Sequence, residues 1–270
     1  MREAKMIAEG GFPPSGWKVL KRNPDGGCYL LPQHLVDDTT PRHLRPRKEL
    51  PKPAPKPKVD WNKIQGEFYS FAHCDRIEEL STDLGIKEAY LRVVGLGWCE
   101  GKKAWSFPMY RDPDTVIGIR LRTNDGAKFA IKGSSAGVFM NPVPMDGWED
   151  EEVVYICEGP TDTASAWQLG LYAIGRPSAS GGIDILKKLL RGKRTVIISD
   201  DDSPGRQGAD NLAEALKPIV PSVKIIQPLK KDIREWLQHG ATRDDVIRLV
   251  NNAKEWQHDT RTWQVQSQPT

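Results

Sequence analysis

The sequence predicts an α/β protein, a mainly parallel sheet with helices on both faces, preceded by a small α+β subdomain. Two observations predict it. From Val153 onward, short apolar strands alternate with helical stretches, and repeated βα units of that kind build a parallel sheet covered on both sides. Upstream, three apolar runs are separated by the turn signals Asp112-Pro113-Asp114 and Asn124-Asp125-Gly126, the pattern of antiparallel hairpins.

The elements follow in order. Residues 1–59 are expected to be a poorly structured N-terminal region followed by a linker. Within it, Trp17 to Leu20 and Cys28 to Leu31 read as short strands of a small hairpin between the turn signals Gly10-Gly11, Pro13-Pro14 and Asn23-Pro24-Asp25-Gly26-Gly27. Pro46 to Pro57 is rich in Pro and Lys, a composition that stays extended and semi-rigid. Residues 60–150 form the α+β subdomain. Asn62 to Leu84 is helical in character, Ile86 to Val94 starts another short helix, and Ala104 to Tyr110, Val116 to Arg122 and Lys128 to Lys132 are strands. Ile117, Ile119 and Leu121 alternate with Gly118, Arg120 and Arg122, so one face of this sheet is apolar and the other basic.

Residues 151–253 form the parallel domain, with strands at Val153 to Cys157, Tyr172 to Ile174, Thr195 to Ser199 and Val223 to Gln227. Its helices run over Thr161 to Leu169, with Thr161 or Asp162 near the N-cap, over Ile183 to Leu190 and over Arg206 to Leu216, with another beginning at Asp232. Residues 254–270 are polar and read as a flexible tail.

Bulk properties bound the function. A formal charge of +3 over 270 residues does not by itself argue for nucleic acid, but its distribution is uneven. Arg42, Arg45, Arg47, Lys48, Lys52, Lys56 and Lys58 stand against Glu49 alone, a stretch that suits a solvated linker and also weak binding to phosphates. No apolar run reaches membrane-spanning length and Met1 to Gly10 lacks a signal peptide's apolar core, which places the protein in the cytoplasm, that of a bacterial host if it is phage-encoded. Cys28, Cys74, Cys99 and Cys157 form no CxxC pair, so no zinc site is expected.

Three acidic residues fall where ligands of parallel sheets bind, at the carboxyl ends of strands. Glu158 follows the first strand of the parallel domain, and Asp200 and Asp202 follow its third. Crowded carboxylates repel one another and need a cation, and hard oxygen donors suit Mg²⁺. Gly159-Pro160 turns the chain after Glu158, and Gly205 lets the next helix start close to the sheet. Strand-end acids are also common turn formers, which accounts for any one of the three better than for all. An EF-hand is excluded because its fifth and twelfth positions hold Pro204 and Asn211 and a strand precedes. Nothing matches GxxxxGK[ST].

Glu158-Gly159-Pro160-Thr161-Asp162 resembles the EGxxD motif of Toprim domains, and Asp200-Asp201-Asp202-Ser203-Pro204-Gly205-Arg206 resembles their DxDxxGR motif. Lys231-Asp232 resembles the KD segment that closes the domain, and Ala173-Ile174-Gly175 with Gly181-Gly182 resembles the loop after its second strand. Upstream, Trp105 to Pro108, Gly118 to Arg122 and Lys128 to Gly133 resemble the primase half of phage primase–helicases and Twinkle-type proteins. The resemblance spans about Asp83 to Ala253.

The resemblance implies a DNA primase-like nucleotidyltransferase that makes short RNA primers on single-stranded DNA. Glu158, Asp200 and Asp202 would be catalytic and hold Mg²⁺ or Mn²⁺, and Asp232 would support a second metal. Arg120, Arg122, Lys128, Lys132, Arg206 and Lys231 would contact nucleotide or template, with ribonucleoside triphosphates as substrates. The family's N-terminal zinc ribbon and a fused helicase are not written in this sequence, so a separate replicative helicase is the expected partner. Two other readings stay open: a Toprim nuclease, and a catalytically weak nucleic-acid-binding accessory of the replisome.

Overall fold

The computed structural model describes residues 6–7, 15–22, 28–32, 59–72, 74–141 and 153–258, and the chain separates into two units, Met1–Pro57 and Lys58–Thr270. In the first unit, the strands expected at Trp17 and Cys28 form as β2 (Trp17–Arg22) and β3 (Cys28–Pro32), paired antiparallel. A third strand, β1 (Met6–Ile7), joins β3 on its other side. A region expected to be poorly structured therefore carries a three-stranded sheet. The Pro/Lys-rich linker and residues 259–270 lie outside the described residues.

The larger unit contains two sheets. Three helices open it: α1 (Trp61–Ser70), capped by the Asp60 carboxylate, α2 (Cys74–Leu84) and α3 (Glu88–Val93). The single helical stretch expected up to Leu84 is thus two helices. The antiparallel sheet is β4 (Gly97–Cys99), β5 (Ala104–Asp112), β6 (Thr115–Thr123) and β7 (Lys128–Ala130), in that spatial order. Its register explains its two faces. Trp105 stands opposite Arg122, Phe107 opposite Arg120, and Met109 opposite Gly118. The three β5 side chains are buried in a core shared with the parallel half, so this face is pressed onto that half and carries Arg120 and Arg122 with it. On the reverse face, Ala104, Ile119 and Leu121 pack with Trp61.

The parallel sheet has the order β11-β10-β8-β9, with β8 (Val153–Glu158), β9 (Ala173–Arg176), β10 (Arg194–Ile198) and β11 (Val223–Ile226). Its side chains alternate between two cores. Tyr155, Cys157, Val196 and Ile198 pack with Trp167, Trp236 and Val246 of α4 (Pro160–Gln168), α7 (Ile233–Gln238) and α8 (Arg243–Asn252). Val154, Ile156 and Ile197 pack with Leu186 and Leu212 of α5 (Ile183–Leu189) and α6 (Ser203–Leu216). Helices on both faces fulfil the expected α/β architecture.

One short segment joins the sheets. Val138 exchanges backbone hydrogen bonds with Tyr110 of β5, and the next residue, Phe139, does so with Gly175 of β9. Any Cβ on Gly175 would lie 2.1 Å from Thr163 Oγ1, so only glycine allows α4 to sit this close to β9.

Several boundaries depart from expectation. Helix α4 begins at Pro160 with Gly159 as its cap, not at Thr161 or Asp162. Proline is preorganised for a first helical turn, and Gly159 has φ +94°, which side chains disfavour. Helix α6 begins at Ser203, three residues before Arg206, because Asp202 caps it. Strand β4 and helix α8 were not foreseen. The expected tail at 254–270 begins with ordered chain: Trp256 donates its backbone N–H to Val223, and the Glu255 carboxylate accepts from Ser222 Oγ.

Candidate active site

Strands β8 and β10 are hydrogen-bonded neighbours, with Ile197 opposite Ile156. That register sets Asp200 about one residue beyond the level of Glu158. The chain leaves β8 toward β9 on one side, whereas β10 lies on the other, so these two acids sit at a topological switch point, where open α/β sheets bind ligands.

Each carboxylate is held differently. Glu158 ends β8, and its Oε2 is buried without a hydrogen-bond donor, 3.4 Å from the guanidinium of Arg176. Asp200 is half-buried, and its carboxyl is pushed up to about 7, first by burial and then by Glu158, Asp232 and Asp202. Asp202 caps α6, accepting from the Gly205 backbone at 2.6 Å. A Cβ on Gly205 would come within 2.9 Å of Asp200, so glycine there keeps the two acids against the helix start. Asp232 caps α7, accepting from Glu235 at 2.7 Å, with Arg234 3.3 Å from its other oxygen.

The basic face of the antiparallel sheet meets this acidic edge. Glu158 and Asp200 line a cleft of about 110 Å³ together with Arg120, Arg122 and Lys128. Burial and the neighbouring Arg234 hold the Arg122 guanidinium below its ordinary value, against the opposing pull of Asp162 and Asp232. A larger cleft of about 740 Å³ shares Arg122 and adds Arg76, Lys102, Lys103 and Arg234. Three expected contacts stand elsewhere. Lys132 is exposed in the turn after β7, Lys231 is exposed with its carbonyl taken by the Asp201 amide, and Arg206 pairs with Asp201 at 2.8 Å. None of the three lines either cleft.

Two site residues escaped the reading of the sequence. Asp162 is buried on α4 with Oδ1 lacking any partner, and its carboxyl is pushed up to about 8 by burial, Asp232 and Asp200. Its signal was the last position of EGxxD, which was assigned to helix capping instead. Arg176 is 1% exposed and touches Glu158. No local pattern marks an arginine at the end of a buried strand as a partner of the preceding strand's acid. Cys157 is buried, which pushes its thiol well up, the opposite of the depressed value that activates a cysteine nucleophile.

The donor set suits a hard cation: carboxylate oxygens only, mutually coupled, with buried oxygens at Glu158 and Asp162 that lack donors. Among the described residues no three His, Cys, Asp or Glu side chains converge closely enough to hold a metal directly. Mg²⁺ retains several waters and takes one or two carboxylates, and that looser demand fits the spacing here.

A parallel sheet with an acid after one strand, an acidic turn after its neighbour and a basic antiparallel sheet facing both defines the class as Toprim-like, and residues 155–237 match the Toprim-like family. The chain carries a Toprim-like domain over that segment. Among solved structures, it is similar to the E. coli primase catalytic core, with 15% identity and a TM-score of 0.58 over 72% of this chain and 79% of that one. It is also similar to the DnaG primase catalytic domain bound to single-stranded DNA (14%, 0.59, 72% and 77%). The RNA polymerase domain of Mycobacterium tuberculosis primase DnaG gives 14%, 0.56, 72% and 82%. These matches span far more than the Toprim-like segment, so the upstream subdomain belongs to the shared fold. No curated protein sequence matches the chain. Among the described residues no helix is long and apolar enough to cross a membrane.

Proposed function

We propose that the chain is a primase-type nucleotidyltransferase that joins ribonucleotides on a single-stranded DNA template, using Mg²⁺ or Mn²⁺ drawn to Glu158, Asp200 and Asp202, one or two of them ligating directly, with Asp232 in support. One observation carries the reading: Glu158 and Asp200 form one wall of a cleft whose other wall is Arg120, Arg122 and Lys128. A pure strand binder gains nothing from carboxylates placed where phosphates approach. A site that must hold a divalent cation and a polyphosphate together needs both walls.

The reaction is attack of a 3′-hydroxyl on the α-phosphorus of a nucleoside triphosphate, forming a phosphodiester and releasing pyrophosphate. A divalent ion bound at the acidic wall supplies charge neutralisation at the reacting phosphate. Arg120, Arg122 and Lys128 bind the phosphate oxygens and orient the triphosphate. Glu158 stands on the acidic wall, where its outer oxygen would hold the ion, and the proton of the attacking hydroxyl passes to water. The larger cleft is lined by Arg76, Lys102, Lys103, Arg122 and Arg234 against Glu79, Asp83 and Asp125, a small positive excess toward the phosphates of a strand leading away from the centre. The partners under this reading are the template and a replicative helicase.

The test is primer synthesis by the full chain on mixed-sequence single-stranded DNA with Mg²⁺ or Mn²⁺ and labelled nucleotides. Short products that disappear in both Glu158→Gln and Asp200→Asn are expected. Metal-dependent shortening of the template without nucleotides would replace the polymerase reading with a nuclease. Strand binding equal in all three proteins, with neither activity, would leave an accessory module.

A further inference from the structure

We propose that Arg176 is a positioning residue for Glu158: its buried guanidinium fixes that carboxylate against Asp200 for binding a divalent cation. The inference rests on the metal-binding reading of the acidic wall. Arg176 is the register partner of Glu158 across β9 and β8. Among the described residues it heads the large side chains that are almost completely buried. Nη1 donates to the carbonyl of Ala179 at 2.7 Å and to that of Gly208 at 2.8 Å, while Nη2 lies 3.4 Å from Glu158 Oε2. One planar group thus ties the end of β8 to the loop after β9 and to α6, the helix capped by Asp202. Room for it depends on close approach: a Cβ on Gly208 would lie 2.7 Å from Ala179 Cβ.

Burying a charged arginine is costly unless it is both paired and hydrogen-bonded. Capping two carbonyls is a task that a neutral amide could share. The charge acts first on Glu158, whose inner oxygen has no hydrogen-bond donor and faces Arg176, and then on the neighbouring Asp200. With Oε2 held from behind, the other oxygen is left to the cleft. Residues that orient a metal ligand in this way are commonly worth tenfold or more in metal affinity.

The experiment is calorimetric titration of Mn²⁺ into the full chain without nucleotides, for wild type, Glu158→Gln, Arg176→Lys, Arg176→Gln and the Glu158→Gln/Arg176→Gln pair, with thermal melts alongside. Both Arg176 variants are expected to bind Mn²⁺ about 10- to 100-fold more weakly. Arg176→Gln is expected to add less than about twofold in the Glu158→Gln background, as coupled residues do. The sign is diagnostic. Removing a positive charge beside a cation site tightens binding by Coulomb's law alone, so weakening reports lost orientation. Unchanged or tighter binding in the Arg176 variants, or full additivity with Glu158→Gln, overturns the proposal. If Glu158→Gln itself leaves binding intact, the acidic wall is not the metal site and the proposal falls with it. Should Arg176→Gln fail to fold, the double variant decides. A folded double variant traces the loss to the uncompensated charge of Glu158, as proposed, and an unfolded one makes Arg176 a scaffold for two carbonyls and overturns it.

Discussion

At the end of the parallel sheet three acidic groups are fastened: Asp202 and Asp232 cap helices, and Glu158 is backed by Arg176. On the antiparallel sheet the cations are placed but not fastened. Arg120 and Arg122 are carried to the cleft by β6, and Lys128 is exposed on β7, an edge strand. Groups that must hold a small ion in a fixed geometry need supporting contacts. Groups that must follow a substrate through binding, reaction and release gain from keeping their rotamers, since an ion pair made in advance would have to be broken. The contrast teaches which wall sets geometry and which one grips.

Substitutions break or sharpen that contrast. The largest effect is expected from Asp200→Asn, which should lower primer synthesis by more than about 100-fold. The same change should raise the melting temperature at pH 8 in metal-free buffer, because it removes a carboxylate that burial and three acidic neighbours oppose. Next comes Arg122→Ala on the gripping wall. It should weaken nucleotide or strand binding about tenfold and reduce the salt slope of strand binding by about one, with the melting temperature unaltered.

Asp162→Asn should change pH dependence more than activity. Burial pushes the Asp162 carboxyl up to about 8 in the folded chain, against about 4 when unfolded, so the folded state binds the extra proton between those values. Stability from this group is full below the lower value and is lost as pH rises to the upper one. Melts at pH 5, 6.5 and 8 without divalent ions should slope downward by a few degrees in wild type and less in the variant. The smallest effect is expected at Thr242, whose capping box with Asp245 starts α8 away from both walls. Thr242→Ala should cost about 1 kcal/mol in stability and leave primer synthesis unchanged.

What was legible followed from period and position. Alternation along Ile117 to Arg122 located the basic face, and apolar runs ending in Glu158 and Asp200 located the acidic edge. Helix starts were less legible at Arg206, because an aspartate inside a metal motif can also cap a helix. Helix α8 carries one local signal, the capping box spelled by Thr242-Arg243-Asp244-Asp245. Strand β4 is three buried residues with no alternation to detect. Arg176 and the pairing of Val138 and Phe139 with two different sheets depend on tertiary approach, which no local pattern encodes. Lys132, Arg206 and Lys231 stand close to the motifs in sequence, and sequence proximity does not say which wall a long side chain joins.

The short pairings at either side of the parallel sheet bear on how the protein behaves at concentration. Phe139 covers part of β9, while Glu255 and Trp256 cover the start of β11. An uncovered strand edge is a template for pairing with another molecule. A chain cut just after Ala253 would keep every residue of the cleft yet expose the backbone of Val223 and Lys224. Its expected failing is colloidal rather than catalytic: activity per molecule is preserved while self-association rises, a difference that light scattering beside the activity assay reads directly.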